Sequence, residues 1–260
     1  MSEAAGIQYL WGYRDLVRNL VAKEVKVRYM GAWLGFAWSL ANPLVVSLMY
    51  LVVFTYVFPS GQPHYALYLI TGFIHWILFS NVAMQSPEIL VQNSGLVKKI
   101  YFPRLLIPIA SLFTNLVLWI GALAVYLAIF PLLGGRFSVV QLAYPFYFAL
   151  YLVFLWGLSL ILSTLYVDFR DLKHLVEVAI QVLFWGTPII YPLTRVPHEL
   201  RYFILASPLA EFIQIFHALF YWNRLPSLEL TLAFGLWAAV ATILGVWMFQ
   251  RQVTHLIERL

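Results

Sequence analysis

From Tyr29 to Pro87 the chain contains no lysine, arginine, aspartate or glutamate. A soluble domain cannot leave such a length uncharged, because roughly a quarter of its residues carry charge. A bilayer demands the opposite, since one charge at the centre of a spanning helix costs about 2.5–3.5 kcal/mol on the insertion scale. The stretch is too long for a single span of about 20 residues. It breaks at "FPSGQPH" (58–64), where Pro and Gly supply turn chemistry. The sequence therefore predicts span 1 at 34–58 and span 2 at 65–86. The same ruler places span 3 between Arg104 and Arg136, closed by "PLLGGRF", and span 4 between Arg136 and Asp168. After Glu177, "VAIQVLFWGTPIIYP" gives a short span 5 interrupted by Gly186 and Pro188, and span 6 runs from Leu230 to Gln250.

Composition agrees. With 63% hydrophobic and 10% charged residues and a mean hydropathy of +0.84, the chain is an integral membrane protein of the all-α, polytopic class. Its 260 residues are filled by these spans, so 1–260 is read as a single transmembrane domain with no room for a sizeable soluble one. The absence of cysteine excludes disulfides, thiolate metal sites and a cysteine nucleophile. The formal charge of +5 reports topology rather than nucleic-acid binding.

The N-terminus lacks the apolar run of a cleavable signal. Residues 7–30 are amphipathic instead: Leu10, Tyr13, Leu16, Val17, Leu20 and Val21 share one helical face, and Asp15, Asn19 and Lys26 take the other. With Arg14, Arg18, Lys23, Lys26 and Arg28, the segment reads as a helix lying in the membrane interface on the cytoplasmic side, or alternatively as a basic tail.

Residues 193–228 fit less simply. "FILASPLAEFIQIFHALFYW" is apolar enough for the bilayer but carries Pro208 and Glu211. It reads as a re-entrant hairpin on the outer side, tolerated where protein covers its backbone, with a seventh span as the rival. Six spans with the N-terminus inside place 12 basic residues in cytoplasmic segments against 4 outside. A seventh span makes the split 11 to 5, so the charge bias fixes the N-terminus under either count and leaves both the N- and C-termini (251–260) cytoplasmic under the first.

Between spans 4 and 5, "YVDFRDLKHLV" (166–176) packs five ionisable side chains into the seven positions from Asp168 to His174. Asp168 is placed to cap a short helix, Asp171 to favour its first turn, and Phe169 and Leu172, three apart, to share a face. Such a helix suits docking into a partner's groove; an ordinary hydrophilic loop is the other reading. "LVKKIYFPRLLIP" (96–108) again mixes basic residues with aromatics.

Taken in order, the pieces are specific. A basic interface helix leads through "VRYMGAWLGFAWSLANPL" into span 1; "KKIYFPRLLIP", "DFRDLKHL" and "TPIIYP" follow, and then "SPLAEFIQIFH". This series, over nearly the whole chain, resembles the membrane subunit of type-2 ABC transporters, in the branch exporting lipid-linked polysaccharides such as O-antigen and teichoic acid. Many relatives have Asn-Pro where this chain has Ser207-Pro208. The resemblance implies a homodimer in the bacterial cytoplasmic membrane, each copy engaging one of two copies of a separate cytoplasmic ATPase. ATP and Mg then belong to the partner, and this chain binds no cofactor of its own. The sequence has no G-x-x-x-x-G-K-[ST] phosphate loop, in keeping with that division. By the same resemblance, Asp168, Phe169, Arg170, Asp171, Leu172 and Lys173 form the coupling helix seated in the ATPase, and the N-terminal helix touches it too. Spans 1 and 5 line the pathway, with Trp38, Tyr50, Phe54, Tyr56, Phe184, Trp185 and Tyr191 as candidates for packing on the apolar faces of sugar rings. Teichoic acid, capsule and drug export remain alternatives within the family.

A secondary transporter is the first rival outside it. Ion coupling usually leaves ionisable groups inside spans, and spans 1–4 offer only His75. A membrane enzyme is the second, but "HEL" (198–200) is followed by Tyr202 where a zinc protease helix needs its second histidine, and Glu211 and His217 form no recognisable site. Neither rival explains the charged segment at 168–174. Because the chain has no cysteine, single cysteines report its topology cleanly: a membrane-impermeant maleimide should label Arg136→Cys in intact cells and Arg170→Cys only after permeabilisation. Labelling of Arg170→Cys from outside would invert the orientation.

Overall fold

The computed structural model describes residues 12–30, 41, 45–46, 48–50, 52–57, 62–99 and 102–259, and among them the backbone forms only helices and turns. We number the α-helices α1 (Arg14–Tyr29), α2 (Tyr65–Gln85), α3 (Ile89–Gln92), α4 (Ser94–Lys99), α5 (Leu106–Ile129), α6 (Tyr144–Asp168), α7 (Leu172–Gly186), α8 (His198–Leu205), α9 (Pro208–Phe220) and α10 (Leu228–Arg259).

Four helical segments are long and apolar enough to cross a bilayer: Tyr65–Leu96, Leu106–Ile129, Val139–Asp168 and Leu228–Gln252. The pair α8 and α9, bent by 92°, adds a fifth if it counts as one span. Six were expected. Most of span 1 lies outside the described residues; those seen within 34–58 are helical, ending in a π-helical turn at Val53–Val57. Span 5 is reduced to the 15-residue α7, about 22 Å long, which falls short of a hydrocarbon core of about 30 Å.

The helix at the centre is α2. In its span 72% of the most apolar window is buried within the protein, against 28–44% in the other three. Its backbone carbonyls, already used once within the helix, take a second donor from the helices around it. Trp119 Nε1 of α5 donates to Ile74 O at 2.8 Å, the Tyr151 hydroxyl of α6 to His75 O at 2.7 Å, and His217 Nε2 of α9 to Tyr68 O at 2.9 Å. Thr71 donates to Leu67 O, which leaves its oxygen to accept from the Tyr126 hydroxyl of α5 at 2.7 Å. Aromatic stacking reinforces the pattern: His75 lies on Phe216 at 3.6 Å and His217 on Tyr68 at 3.9 Å. These contacts also show His75 as a core residue with both ring nitrogens partnered. Its Nδ1 must donate, because Thr71 O can only accept, and its Nε2 meets the Tyr144 hydroxyl at 3.2 Å.

Tyrosines of α2 also rescue the broken part of span 5. Beyond Gly186 the backbone is irregular yet Thr187 to Ile190 are buried, so its carbonyls need donors. The Tyr68 hydroxyl lies 3.0 Å from both Pro188 O and Tyr191 O, and the Tyr65 hydroxyl donates to Ile190 O at 2.8 Å.

Contacts sort the loops into two ends. At one, Pro63 O accepts from the Tyr221 hydroxyl at 2.7 Å, and Gln141 Nε2 donates to Leu219 O and Asn223 Oδ1. At the other, Glu88 meets Lys173, and Asp168 meets Gln252. Here a second apolar cluster of Ile89, Leu90, Phe102, Leu106, Val167 and Phe249 receives Leu16 and Val17 of α1 and Tyr13 just before it.

A close helix crossing joins α6 to α10. A Cβ on Gly157 would lie 2.5 Å from the backbone of Ala241 and Thr242, and one on Gly245 would lie 2.6 Å from Gly157 O. Small residues at 241 and 245 on one face allow this approach, the usual device where lipid offers no hydrophobic drive between helices. Gly157→Val should therefore cost about 1–3 kcal/mol, seen as a lowered melting temperature in detergent. Gly235→Ala, which meets only open space, should leave melting unchanged. Equal melting of Gly157→Val and the wild type would contradict the crossing.

Candidate functional site

The charged segment at 168–173 is a corner, not a free-standing short helix. Asp168 ends α6, Phe169 is extended (φ −127, ψ 90), and α7 starts at Leu172 and continues unbroken to Gly186. Neither Gly nor Pro follows His174 before that point, so nothing stops the helix once it begins. Asp168 is thus not an N-cap; its Oδ2 instead accepts from Gln252 Nε2 of α10 at 3.1 Å. Asp171 occupies the cap position without a capping hydrogen bond.

Nor do Phe169 and Leu172 share an outward face. Phe169 is 47% exposed, while Leu172 is half-buried against the main core. Arg170 and Asp171 are exposed, and the Arg170 guanidinium lies 5.1 Å from the Tyr166 ring centroid. Lys173 Nζ pairs with Glu88 Oε1 at 3.0 Å, and this hydrogen bond and charge push the ammonium's pKa up. The corner therefore offers a partner an apolar ring flanked by both signs of charge.

Beside it lies α1. Arg14, Arg18, Lys23, Lys26 and Arg28 are all exposed along it, with Lys26 and Arg28 in the last turn where the helix dipole favours cations. The apolar stripe faces the protein: Leu20 is buried and Leu16 and Val17 are half-buried, while Leu10 lies outside the described residues. Two polar links cross from α1 to α5 where the sequence gave no warning. Arg28 Nη1 donates to Asn115 Oδ1 at 3.5 Å, and Glu24 sits beside Thr114, its carboxyl pKa raised chiefly by burial.

The aromatic candidates divide. Trp38 and the Phe54 side chain lie outside the described residues. Tyr50 stacks on Phe184 at 5.5 Å, and both pack against Phe73, so Phe184 belongs to the core rather than to an open wall. Tyr56 and Trp185 are exposed at 79% and 59%, and Tyr191 donates its hydroxyl to Trp185 O at 2.7 Å. The exposed surface of α7 continues through Leu175, Val178 and Val182. Sequence reasoning missed Glu88, Asn115 and Gln85. Gln85 and Glu88 lie at a span end and Asn115 well inside α5, and the only available signal was a polar residue in an apolar run.

Residues 15–221 match the family model described as ABC-2 type transporter. The chain is 31% identical to the O-antigen export system permease protein RfbA of Myxococcus xanthus over 240 residues, covering 92% of this chain and 91% of that one. It is 32% identical to the protein of the same name from Klebsiella pneumoniae over 247 residues, covering 94% and 95%. A fainter likeness, 20% over 202 residues and 76% and 78% of the two chains, links it to the polysialic acid transport protein KpsM of Escherichia coli.

The raised Glu24 carboxyl sets a pH dependence for α1. Above its ordinary 4.5 the folded state holds a proton that the unfolded state has lost, so docking of α1 weakens as pH climbs through that window. Amide exchange across α1, corrected for intrinsic rate, should speed up from mildly acid to neutral pH. Glu24→Gln should flatten the profile and protect α1 at neutral pH; an unaltered profile would remove Glu24 from the contact.

Proposed function

The chain belongs to the ABC-2 type transporter family, and on that premise we propose that it is the permease subunit of an ATP-driven exporter of lipid-linked polysaccharide of the O-antigen kind. The similarity to O-antigen export permeases over more than nine-tenths of the chain carries this reading. The permease works as a homodimer in the bacterial cytoplasmic membrane, with two copies of a separate ATPase that hold ATP and Mg. A sequence without a phosphate loop needs such a partner. The fainter similarity to a polysialic acid transport protein supports polymer export in general and leaves capsule as the second reading.

Six spans with cytoplasmic termini fit the contacts. The segment from Ile190 to Tyr221 begins and ends beside the start of α2, as a re-entrant hairpin would, through Tyr65 to Ile190 and Tyr221 to Pro63. Phe212, early in α9, packs on Phe79, which lies about 21 Å along α2 from Tyr65. The hairpin then fills about the outer two-thirds of the bundle core, and the corner at 168–173 and α1 face the cytoplasm.

There the corner docks into the ATPase, with Phe169 as the apolar anchor and Arg170 and Asp171 as its charged rim. The basic face of α1 lies alongside. Closure of the ATPase pair on ATP presses on the corner; because α6 and α7 both run from it into the membrane, they tilt and open the path between the two permeases. Tyr56, Trp185 and Tyr191 give a polymer shallow, repeated contacts along which it slides. Replacing Phe169 and Asp171 together by alanine should weaken ATPase association by at least about tenfold and abolish export while membrane insertion stays normal. Normal export by that variant would remove the corner from coupling.

A further inference from the structure

The last turn of α2 is touched from two sides. Its extension Ser86–Glu88 ends in a carboxylate whose Oε1 accepts from Lys173 Nζ at 3.0 Å and from the Tyr166 hydroxyl at 3.4 Å, while Gln92 Nε2 reaches Oε2 at 3.3 Å. One turn earlier, Gln85 Oε1 accepts from Asn115 Nδ2 at 2.6 Å, and the Oδ1 of that same Asn115 accepts from Arg28 of α1. The corner and the basic helix, far apart in sequence, thus converge on residues 85–88. We propose that this turn is the junction that collects the motion of both docking elements and delivers it to the bundle, with Glu88 the positioning residue that ties the corner to α2. The proposal rests on the docking reading given above.

Two observations support it. First, α2 is the helix whose movement carries the others, since Trp119, Tyr151 and His217 are bonded to its carbonyls and Tyr65 and Tyr68 hold the irregular end of span 5. Second, Lys173 breaks a local rule. It stands in the first turn of α7, a turn without an acidic residue, where the helix dipole opposes a cation. Glu88 offsets that misplacement. Such exceptions gather where function, rather than folding, selects the residue. The pair is only half-buried, at 37% and 29% side-chain accessibility, so solvent screens it, its contribution to stability is modest and its loss is readable as a coupling defect.

The test uses the permease reconstituted with its ATPase in liposomes and reads ATPase association, ATP hydrolysis and polysaccharide exported per ATP. Glu88→Lys should keep association and hydrolysis within about twofold of wild type, yet lower export per ATP about three- to tenfold, and Lys173→Glu, which lies within the docking corner itself, should lower export per ATP at least as far. The double exchange Glu88→Lys with Lys173→Glu should recover most of the loss, with melting temperature level across the series. Unchanged export per ATP in the single variants, or a double exchange as poor as either single, overturns the junction. Loss of ATPase association in Glu88→Lys also overturns it, by making Glu88 part of the docking surface. Failure of the docking reading shows elsewhere, as normal association in the Phe169/Asp171 double variant.

Discussion

A buried polar group that lacks a partner has no water to turn to, and α2 is arranged around that fact. Four of its neighbours, α5, α6, α9 and the irregular stretch after α7, are attached to it through hydrogen bonds that a dry environment makes costly to lose, about 1–3 kcal/mol for each buried group left alone. Trp119, Tyr151 and His217 supply donors; Tyr65 and Tyr68 give donors back to Pro188, Ile190 and Tyr191. Apolar packing alone could not choose this arrangement, because lipid tails compete equally well for leucine and valine faces.

That centre explains how a short helix and a broken one are held inside the protein. The helix α7 is too short to span unaided, and α9 is buried along almost its whole length with Glu211, Gln214 and His217 on it. Both lean on α2. Gly72 is part of the fit, since a Cβ there would come within 2.9 Å of His217 Nε2. The contrasting joint is α6 with α10, where glycines at 157 and 245 bring backbones together and the hydrogen bond from Thr242 to Val153 O adds a polar link. One joint fixes the centre of the bundle, and the other fixes the helix that precedes the corner.

An exporter of a long polymer needs its force to enter at one end and be felt across the membrane. Here the end that carries α1 also carries the corner; the corner is bonded directly, and α1 through Asn115 of α5, to the end of the most buried of the four long spans. Force applied there meets a rigid, hydrogen-bonded body rather than a set of loosely sliding cylinders.

Sequence by itself determined the class, the length and position of the uncharged segments, the amphipathic face of α1 and the family, since each depends on composition or order along one chain. Spans 2, 3, 4 and 6 fall where the charge-free runs put them, because the cost of burying a charge acts residue by residue. The corner was legible as a cluster of charge but not as a corner, since whether α7 restarts at Leu172 or at Asp168 depends on packing of Leu172 into the core. Tyr50 and Phe184 looked like channel wall because an aromatic ring reads the same whether it meets sugar or another ring. Tertiary structure alone decided that they meet each other, that His75 and His217 are held in the core, and that Glu88, Gln85 and Asn115 matter. The physical reason is common to all of these: a polar or aromatic side chain takes its role from a partner up to 149 residues away, and pattern along the chain carries no term for that distance.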